Sequence, residues 1–384
     1  MTSPLRLDLF CRVIDNYGDA GVCWRLARQL ANERGFRVRL WIDKPAVLQK
    51  ICPDVVSEAV EQVVCGVGIR LWPSIFPAFP ASDVPDVVVE GFGARLPESY
   101  VRLMAARQAR PVWINLEYLS AESWVDESHL LASPQSWISL TKYFYFPGFT
   151  EKTGGLIRED GLIEARDHFQ ADRQNAVRFL SSLGVEAETE HFMVSLFCYP
   201  DAPVVSLLES FQRSRRKVLC LIPEGVASGA VRFFMGRDAV AGVRFSAGQL
   251  SLQILPMMEQ NAYDYLLWSC DLNFVRGEDS FVRAQWAARP FVWHIYPQEE
   301  EVHLVKLEAF LDSYLADFSS ENAERVKRFW HEWNAGKKQA SLESMEEFGK
   351  ILPQLKQHGR DWSKKMTARP DLASGLVRFI NTLR

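Results

Sequence analysis

The sequence has few of the features that mark metal-binding, redox, nucleic-acid-binding or membrane proteins. Its seven cysteines are scattered without a Cys-x-x-Cys pair, and its seven histidines form no His-x-x-x-His or Cys/His cluster. No apolar run reaches the roughly 18 residues that a membrane helix needs, and no signal-peptide pattern is visible. A formal net charge of −4 argues against broad nucleic-acid binding. We therefore expect a cytoplasmic protein with reduced cysteines that binds neither nucleic acid nor membranes.

Nucleotide-binding and nucleophile motifs are also missing. There is no P-loop and no Gly-x-Ser-x-Gly elbow, and no cysteine adjoins a turn with a candidate base. The dinucleotide fingerprint Gly-x-Gly-x-x-Gly is incomplete, because only Gly18 and Gly21 are present and Asp19 occupies the space of a pyrophosphate. Asp43 ends the second predicted strand, where an acid would bind a ribose. An NAD-linked dehydrogenase is therefore retained as an alternative.

Length and patterning predict two α/β domains. A chain of 384 residues exceeds one ordinary core, and short apolar runs alternate with longer amphipathic ones, as in parallel sheets. The predicted strands are Leu5–Ile14, Phe36–Ile42, Ile69–Trp72, Val84–Glu90 and Val112–Leu116, then Phe192–Cys198, Val218–Ile222, Leu250–Leu255, Leu272–Val275 and Phe291–Ile295. We expect Rossmann-like domains over residues 1–170 and 185–360, an aromatic loop over 143–155, and a C-terminal helix, 365–384, that packs back on the first domain.

The segment Asp15–Val22, which we call the acidic segment, is the most informative part of the chain. It follows an apolar strand and opens a helix-like run, the place where open α/β sheets bind ligands. Two carboxylates, Asp15 and Asp19, would repel a phosphate but can hold a cation and accept its proton. An alternative is structural, with Asp19 capping the first helix by accepting from the N–H of Gly21 or Val22.

The second informative segment is Arg276–Ser280, which we call the RGEDS segment. It lies between an apolar strand and a helix start. Gly277 allows close backbone approach, Arg276 offers a forked cation, and Ser280 offers a hydroxyl and a helix N-terminal amide, which together suit a diphosphate without a metal. Glu278 could bind a sugar or ribose hydroxyl, and we count it as both donor-binding and catalytic. The alternative is an ordinary strand–turn–helix with Asp279 as the cap.

Aromatic and amide side chains complete the candidate donor site. Phe197 and Tyr199 end the first strand of the second half, so a base could stack on either, and Gln260 could read its edge. Their alternative role is core packing. Tyr17 and Gly18 of the acidic segment are included among the donor-binding candidates.

Taken together and in order, these motifs resemble the EarP family, bacterial protein-arginine rhamnosyltransferases that modify translation elongation factor P. The resemblance extends over essentially the whole chain. It includes Trp113–Ser120 and the loop that runs from Phe146-Pro147-Gly148-Phe149 to Thr153-Gly154-Gly155-Leu156.

The resemblance implies an α/β fold of the GT-B arrangement, with two facing Rossmann-like domains and an interdomain cleft. It implies inverting transfer of rhamnose from dTDP-β-L-rhamnose to an arginine of elongation factor P, which helps that factor relieve ribosomes stalled at consecutive prolines. The family's essential aspartates match Asp15 and Asp19, the latter as the base. Its diphosphate motif matches Arg276, Glu278, Asp279 and Ser280, and Phe197 and Tyr199 match its thymine-binding aromatics less securely. No cofactor and no metal are expected.

Two further alternatives remain at this level. One is a two-domain glycosyltransferase with another sugar or acceptor, against which the acidic segment argues because it suits a cationic acceptor. The other is a non-enzymatic protein that binds elongation factor P, which leaves the RGEDS segment unexplained.

Overall fold

Two α/β units divide the chain in the computed structural model, which describes residues 4–336 and 342–384. The first unit contains Met1–Asp160 together with Met366–Arg384, and the second contains Gly161–Lys365. Within the described residues, no helix is both long enough and apolar enough to cross a membrane.

The first unit is built on an eight-stranded sheet. Its strands are β1 (Arg6–Cys11), β2 (Arg37–Ile42), β3 (Glu61–Val64), β4 (Val67–Leu71), β5 (Val87–Gly91), β6 (Val112–Leu116), β7 (Ala132–Pro134) and β8 (Thr141–Tyr145). They lie in the order β3-β4-β2-β1-β5-β6-β8-β7. The helices of the amino-terminal part are α1 (Tyr17–Asn32), α2 (Pro45–Ile51), α3 (Glu98–Ala106) and α4 (Val125–Ser128), with a 3₁₀ turn at Ala81–Asp83.

The second unit is built on a six-stranded sheet with the order β11-β12-β10-β9-β13-β14. Its strands are β9 (Phe192–Leu196), β10 (Val218–Pro223), β11 (Arg244–Ala247), β12 (Leu250–Leu255), β13 (Leu272–Arg276) and β14 (Phe291–His294). Its helices are α5 (Leu162–Gln170), α6 (Arg173–Ser182), α7 (Val204–Gln212), α8 (Ser228–Met235), α9 (Gln260–Ser269), α10 (Asp279–Trp286), α11 (Val302–Tyr314), α12 (Ser320–Asn334), α13 (Leu342–Lys350) and α14 (Leu352–Thr367), which runs into the carboxyl-terminal part of the first unit.

Each sheet reverses its strand order once. In the first sheet β1 lies in the middle, with β2 and β4 added on one side and β5, β6 and β8 on the other, all in parallel. The second sheet repeats this order with β9 in the middle. Because ligands of open α/β sheets bind outside the carboxyl ends of the strands at this reversal, the pairs β1/β5 and β9/β13 mark the expected site of each unit.

Antiparallel strands close three sheet edges. These are β3, β7 and β11, each of which pairs with the next strand in the chain and with no other described strand. None of the three was predicted from the sequence. The predicted aromatic loop is wrong at its start, because Tyr143–Tyr145 complete β8, which pairs in parallel with β6.

The carboxyl-terminal helix, α15 (Leu372–Thr382), packs in the first unit. Its buried face consists of Leu372, Ala373, Leu376 and Ile380. The backbone N–H of Leu372 donates to the carbonyl of Leu156 at 3.0 Å. A Cβ added to Gly155, whose φ is +74°, would lie 2.4 Å from the Pro370 carbonyl oxygen. Gly155 of the Thr153–Leu156 motif therefore has a packing role, since it lets this loop lie against the chain that leads into α15.

Candidate active site

The loop between β1 and α1 is held tightly by its own backbone. The N–H of Gly18 donates to the carbonyl of Asp15 at 2.7 Å, and Asn16 has the left-handed φ of 36°. A Cβ on Gly18 would lie only 2.6 Å from an Asp15 carboxylate oxygen, so this position requires glycine as long as Asp15 keeps its rotamer. Asp43 accepts from the N–H of Val13 at 2.9 Å, so its carboxylate fixes this loop in place.

Asp19 lies at the centre of this loop. The helix begins at Tyr17, six residues before the helix-like run predicted over Cys23–Leu30, so Asp19 is in its first turn and is not its cap. One carboxylate oxygen accepts from the N–H groups of Ile14 at 2.7 Å and Asp15 at 2.8 Å. The structural alternative made Asp19 the cap of this helix, whereas the structure places Asn16 at the cap position and bonds Asp19 to the preceding loop. Helix α1 is buried along most of its length, so the Asp19 carboxylate is held in place by a rigid element.

Burial governs the charge state of Asp19. The residue is 1% exposed. Burial raises the pKa of its carboxyl, and the hydrogen bonds from Ile14, Asp15 and the Tyr118 hydroxyl partly oppose that rise. A carboxylate whose pKa is raised is a stronger proton acceptor, which is what a general base needs.

Tyr118 supplies the side-chain donor to Asp19. It follows β6, and its hydroxyl donates to the second carboxylate oxygen of Asp19 at 3.2 Å. The ring stacks on Phe92, with centroids 4.4 Å apart and planes inclined by 14°. Phe92 follows β5 with a left-handed φ of 56°, and its N–H donates to Leu116 at 2.6 Å. Phe92 was not predicted as a site residue, because neither its φ nor its stacking has a signature in the sequence.

The RGEDS segment joins β13 to α10 in the second unit. Gly277 has a φ of +57°, its N–H donates to the His294 carbonyl at 3.2 Å, and its carbonyl accepts from the Trp293 indole at 2.7 Å. The Ser280 hydroxyl accepts from the N–H of Arg276 at 3.0 Å and donates to its carbonyl. The hydroxyl therefore closes the turn that positions Arg276.

Arg276 is held against two aromatic rings. Its guanidinium carbon lies 4.4 Å from the centroid of Phe197 and 4.8 Å from that of Tyr199. One of its nitrogens donates to the Cys198 carbonyl at 3.2 Å. Both rings follow β9, the strand beside β13 at the reversal of the sheet. The second unit thus presents a cation of fixed position at its expected ligand site.

The start of α10 is organised by α9. Asp279 is the first residue of α10 and Glu278 precedes it as the cap residue, without a side-chain capping bond. The Asp279 carboxylate accepts from the amide of Gln260 at 3.2 Å. The alternative placed Asp279 at the cap position, whereas the structure places Glu278 there and Asp279 in the first turn. Behind them, Arg283 and Asp264 form a buried two-bonded ion pair at 2.8 and 2.6 Å.

His294 contacts Tyr199 through both its backbone and its ring. The backbone N–H of Tyr199 donates to its Nδ1 at 3.2 Å, and the two rings pack edge to face. Burial lowers the pKa of His294 to about 4, so the imidazole is neutral at physiological pH and can accept this bond. Sequence reasoning missed His294, although a polar residue at a strand's carboxyl end is the kind of signal that it used elsewhere.

The predicted site residues thus fall into two groups. Asp15, Tyr17, Gly18 and Asp19 lie in the first unit, with Asp15, Tyr17 and Gly18 half-buried. The second group lies in the second unit and consists of Phe197, Tyr199, Gln260, Arg276, Gly277, Glu278, Asp279 and Ser280. The donor-binding role predicted for Tyr17 and Gly18, on the first unit, stays a prediction.

Comparison with known proteins shows similarity along nearly the whole chain. The family model "Elongation-Factor P (EF-P) rhamnosyltransferase EarP" matches residues 7–381. The protein-arginine rhamnosyltransferase of Pseudomonas aeruginosa is 46% identical over 97% of this chain and 98% of its own length. That of Pseudomonas putida is 43% identical over 97% of each chain.

Solved structures show the same similarity. A structure described as the structural basis for EarP-mediated arginine glycosylation of translation elongation factor EF-P has a TM-score of 0.70 and 31% identity, covering 98% of this chain and 99% of that one. MurG of Acinetobacter baumannii, at 12% identity and a TM-score of 0.50 over 99% of this chain and 100% of its own, shares the fold alone. The α/β fold is that of the GT-B glycosyltransferases.

Proposed function

This chain belongs to the EarP family of protein-arginine rhamnosyltransferases, and from that premise we propose its donor, its acceptor and its mechanism. The donor is dTDP-β-L-rhamnose, and the acceptor is an arginine of translation elongation factor P. The modification activates the factor for the rescue of ribosomes stalled at consecutive prolines. The family to which the chain belongs and the similar solved structure support the acceptor, since both are named for elongation factor P.

The first unit acts on the acceptor. An arginine guanidinium has a pKa above about 12, so a carboxylate does not remove its proton before reaction. Asp19 instead holds the cation and accepts a proton from the attacking nitrogen as the C–N bond forms. Asp15 adds a second negative charge that draws the guanidinium's positive charge away from that nitrogen. The buried, hydrogen-bonded carboxylate of Asp19 is the single observation that carries this proposal.

The second unit binds the donor. As the bond between the anomeric carbon and the diphosphate oxygen breaks, negative charge develops on dTDP. Arg276 and the N-terminus of α10 stabilise that charge, and Glu278 holds a sugar or ribose hydroxyl. Direct displacement by the arginine nitrogen inverts the anomeric carbon. Because the guanidinium of Arg276 neutralises the charge that develops on the diphosphate, we propose that the reaction needs no metal.

Replacing Asp19 tests the base. Asp19→Asn keeps acceptors for the Ile14 and Asp15 N–H groups but removes the proton acceptor. Turnover should fall by about 10²- to 10⁴-fold, the usual range for a general base, while the dissociation constant for dTDP-rhamnose stays unchanged. Asp54→Asn, an exposed carboxylate of the same unit, is the matched control. Turnover by Asp19→Asn within a few-fold of the wild type would contradict the assignment.

Replacing Arg276 tests the donor site independently. Arg276→Gln removes the cation that lies on Phe197 and Tyr199. We expect the dissociation constant for dTDP to rise by about tenfold or more, as for the loss of a charge-assisted contact. Calorimetry with dTDP measures this without any acceptor. Unchanged dTDP binding would show that the diphosphate lies elsewhere, whatever the result for Asp19.

A further inference from the structure

A cavity in the second unit lies at the amino-terminal ends of the strands, whereas the RGEDS segment follows the carboxyl end of β13. Its volume is about 840 Å³, and its lining includes Phe192 at the start of β9, Asp271 before β13 and Pro290 before β14. The RGEDS segment begins where β13 ends. A five-residue strand spans roughly 16 Å, so the cavity and the candidate donor site are separate places.

Four cationic side chains line this cavity: Arg173, Arg216, Arg289 and Lys356. Arg173 is neutralised by Asp271, with a nitrogen–oxygen distance of 2.7 Å. Among the residues that the structure describes, the other three form no ion pair within 4.0 Å, and the buried Nε of Arg289 has no hydrogen-bond partner. The cavity wall therefore carries positive charge that the described part of the protein does not pair.

Each carboxylate of the lining already has a hydrogen-bond partner. Asp172 caps α6 by accepting from the N–H of Gln174 at 2.9 Å, and exposed Glu190 accepts from the Thr189 hydroxyl at 3.0 Å. Asp271 accepts from Arg173 and also from the N–H of Met193 at 3.0 Å. Within the described part of the chain, none of these carboxylates forms an ion pair with Arg216, Arg289 or Lys356.

The cations also disfavour one another. Partial burial lowers the pKa of Lys356, whose side chain still reaches solvent, and the nearby charge of Arg289 lowers it further. Burial lowers the pKa of Arg289 as well, and Arg173 adds to this while Asp271 opposes it. Like charges held together at a cavity wall are relieved by a bound anion.

We propose that this cavity binds a small anion with more than one negative charge, of the diphosphate or polyphosphate class. Arginine forks recognise phosphate oxygens in pairs, and an ammonium group adds a point charge. Separate cations around one cavity suit several charged groups better than a single one. The volume lies within the range of small-molecule sites, about 300–1,000 Å³. This site is independent of the proposed transfer reaction.

Calorimetry with inorganic pyrophosphate tests the proposal. The titration uses the full chain carrying Arg276→Gln, so that the candidate donor site does not contribute. This protein should still bind pyrophosphate, and more tightly than inorganic phosphate. Adding Arg289→Gln and Lys356→Gln should weaken binding at least about tenfold, corresponding to the loss of charge-assisted contacts. Adding Arg232→Gln, an exposed arginine paired with Asp238 at 3.2 Å, should leave it unchanged.

Three results would overturn the site: no pyrophosphate binding in the Arg276→Gln protein, undiminished binding after loss of both cations, or equal affinity for phosphate and pyrophosphate. A thermal unfolding curve checks that each variant folds. If Arg289→Gln does not, the exposed Lys356→Gln substitution alone should weaken binding by about fivefold, and no change would again contradict the proposal.

Discussion

Asp19 combines two properties that usually exclude each other, since it is buried and must carry charge to act as a base. Desolvation raises its pKa, and three hydrogen bonds keep the ionised form accessible. Two of those bonds come from backbone N–H groups, which no side-chain substitution removes. The third comes from Tyr118, and it can be tested.

Tyr118→Phe removes one donor to the Asp19 carboxylate. Because that bond lowers the pKa of Asp19, its loss should raise the pKa and make the carboxylate protonate at higher pH. The acid limb of the pH profile of kcat/KM should therefore move toward neutral pH, with activity at alkaline pH reduced only a few-fold. Tyr143→Phe, on β8, should leave the limb in place. A limb that stays or moves to lower pH would show that Tyr118 does not act through Asp19.

For single residues, the sequence identifies the charged members of the site better than it identifies the residues that hold them in position. Asp15, Asp19 and Arg276 stand out because they follow the carboxyl ends of predicted strands, where open α/β sheets bind ligands. Phe92 and His294 do not, since their roles depend on a left-handed φ and on burial that only the folded chain creates. The hydroxyl of Ser280 was expected to face a ligand, whereas in the structure it bonds to the backbone of Arg276.

Among the elements, the parallel strands other than β8 were predictable and the antiparallel edges were not. Parallel strands covered on both faces read as continuous apolar runs, and Val87–Gly91 is buried at every position. The edge strands have four residues or fewer in β3, β7 and β11 and are partly exposed, so they lack such a run. Strand β8 is aromatic and precedes Pro147 and Gly148, which favours reading it as part of a loop.

The buried ion pair between α9 and α10 positions the RGEDS segment. The side chains of Arg283 and Asp264 are 1% and 7% exposed. Arg283→Met should lower the free energy of unfolding by about 3–5 kcal/mol, because it leaves an uncompensated buried charge. Adding Asp264→Leu should restore most of that loss, since an apolar pair of similar volume is often neutral. Denaturant unfolding of the three proteins measures this, and a double variant no better than Arg283→Met would contradict it.

In the whole molecule, the last helix returns to the first unit from the far end of the chain. Gln29 of α1 donates to Asp371 at 3.1 Å, and Asp371 caps α15 by accepting from the N–H of Ser374 at 3.0 Å. The first unit therefore includes residues from both ends of the sequence, and its stability depends on this docking.

Gly155→Ala tests that docking. Both Gly155 and Gly161 have left-handed φ, +74° and +76°, but a Cβ meets the Pro370 carbonyl only at Gly155, and at Gly161 it meets nothing within 4 Å. Backbone strain should lower the free energy of unfolding by about 1 kcal/mol in each alanine variant. Only Gly155→Ala should add a steric cost to this. Its unfolding midpoint should be clearly lower than that of Gly161→Ala, with faster proteolysis at the carboxyl terminus. Equal midpoints would show that the close approach to Pro370 contributes nothing.

The central claim concerns one reaction, and intact mass spectrometry tests it most directly. The purified protein is incubated with dTDP-β-L-rhamnose, unmodified elongation factor P and EDTA, and the factor is then weighed and its peptides are mapped. We predict a mass gain of one deoxyhexose on a single arginine, absent with Asp19→Asn. An unmodified factor, under conditions where the protein binds the donor, would contradict the proposed acceptor.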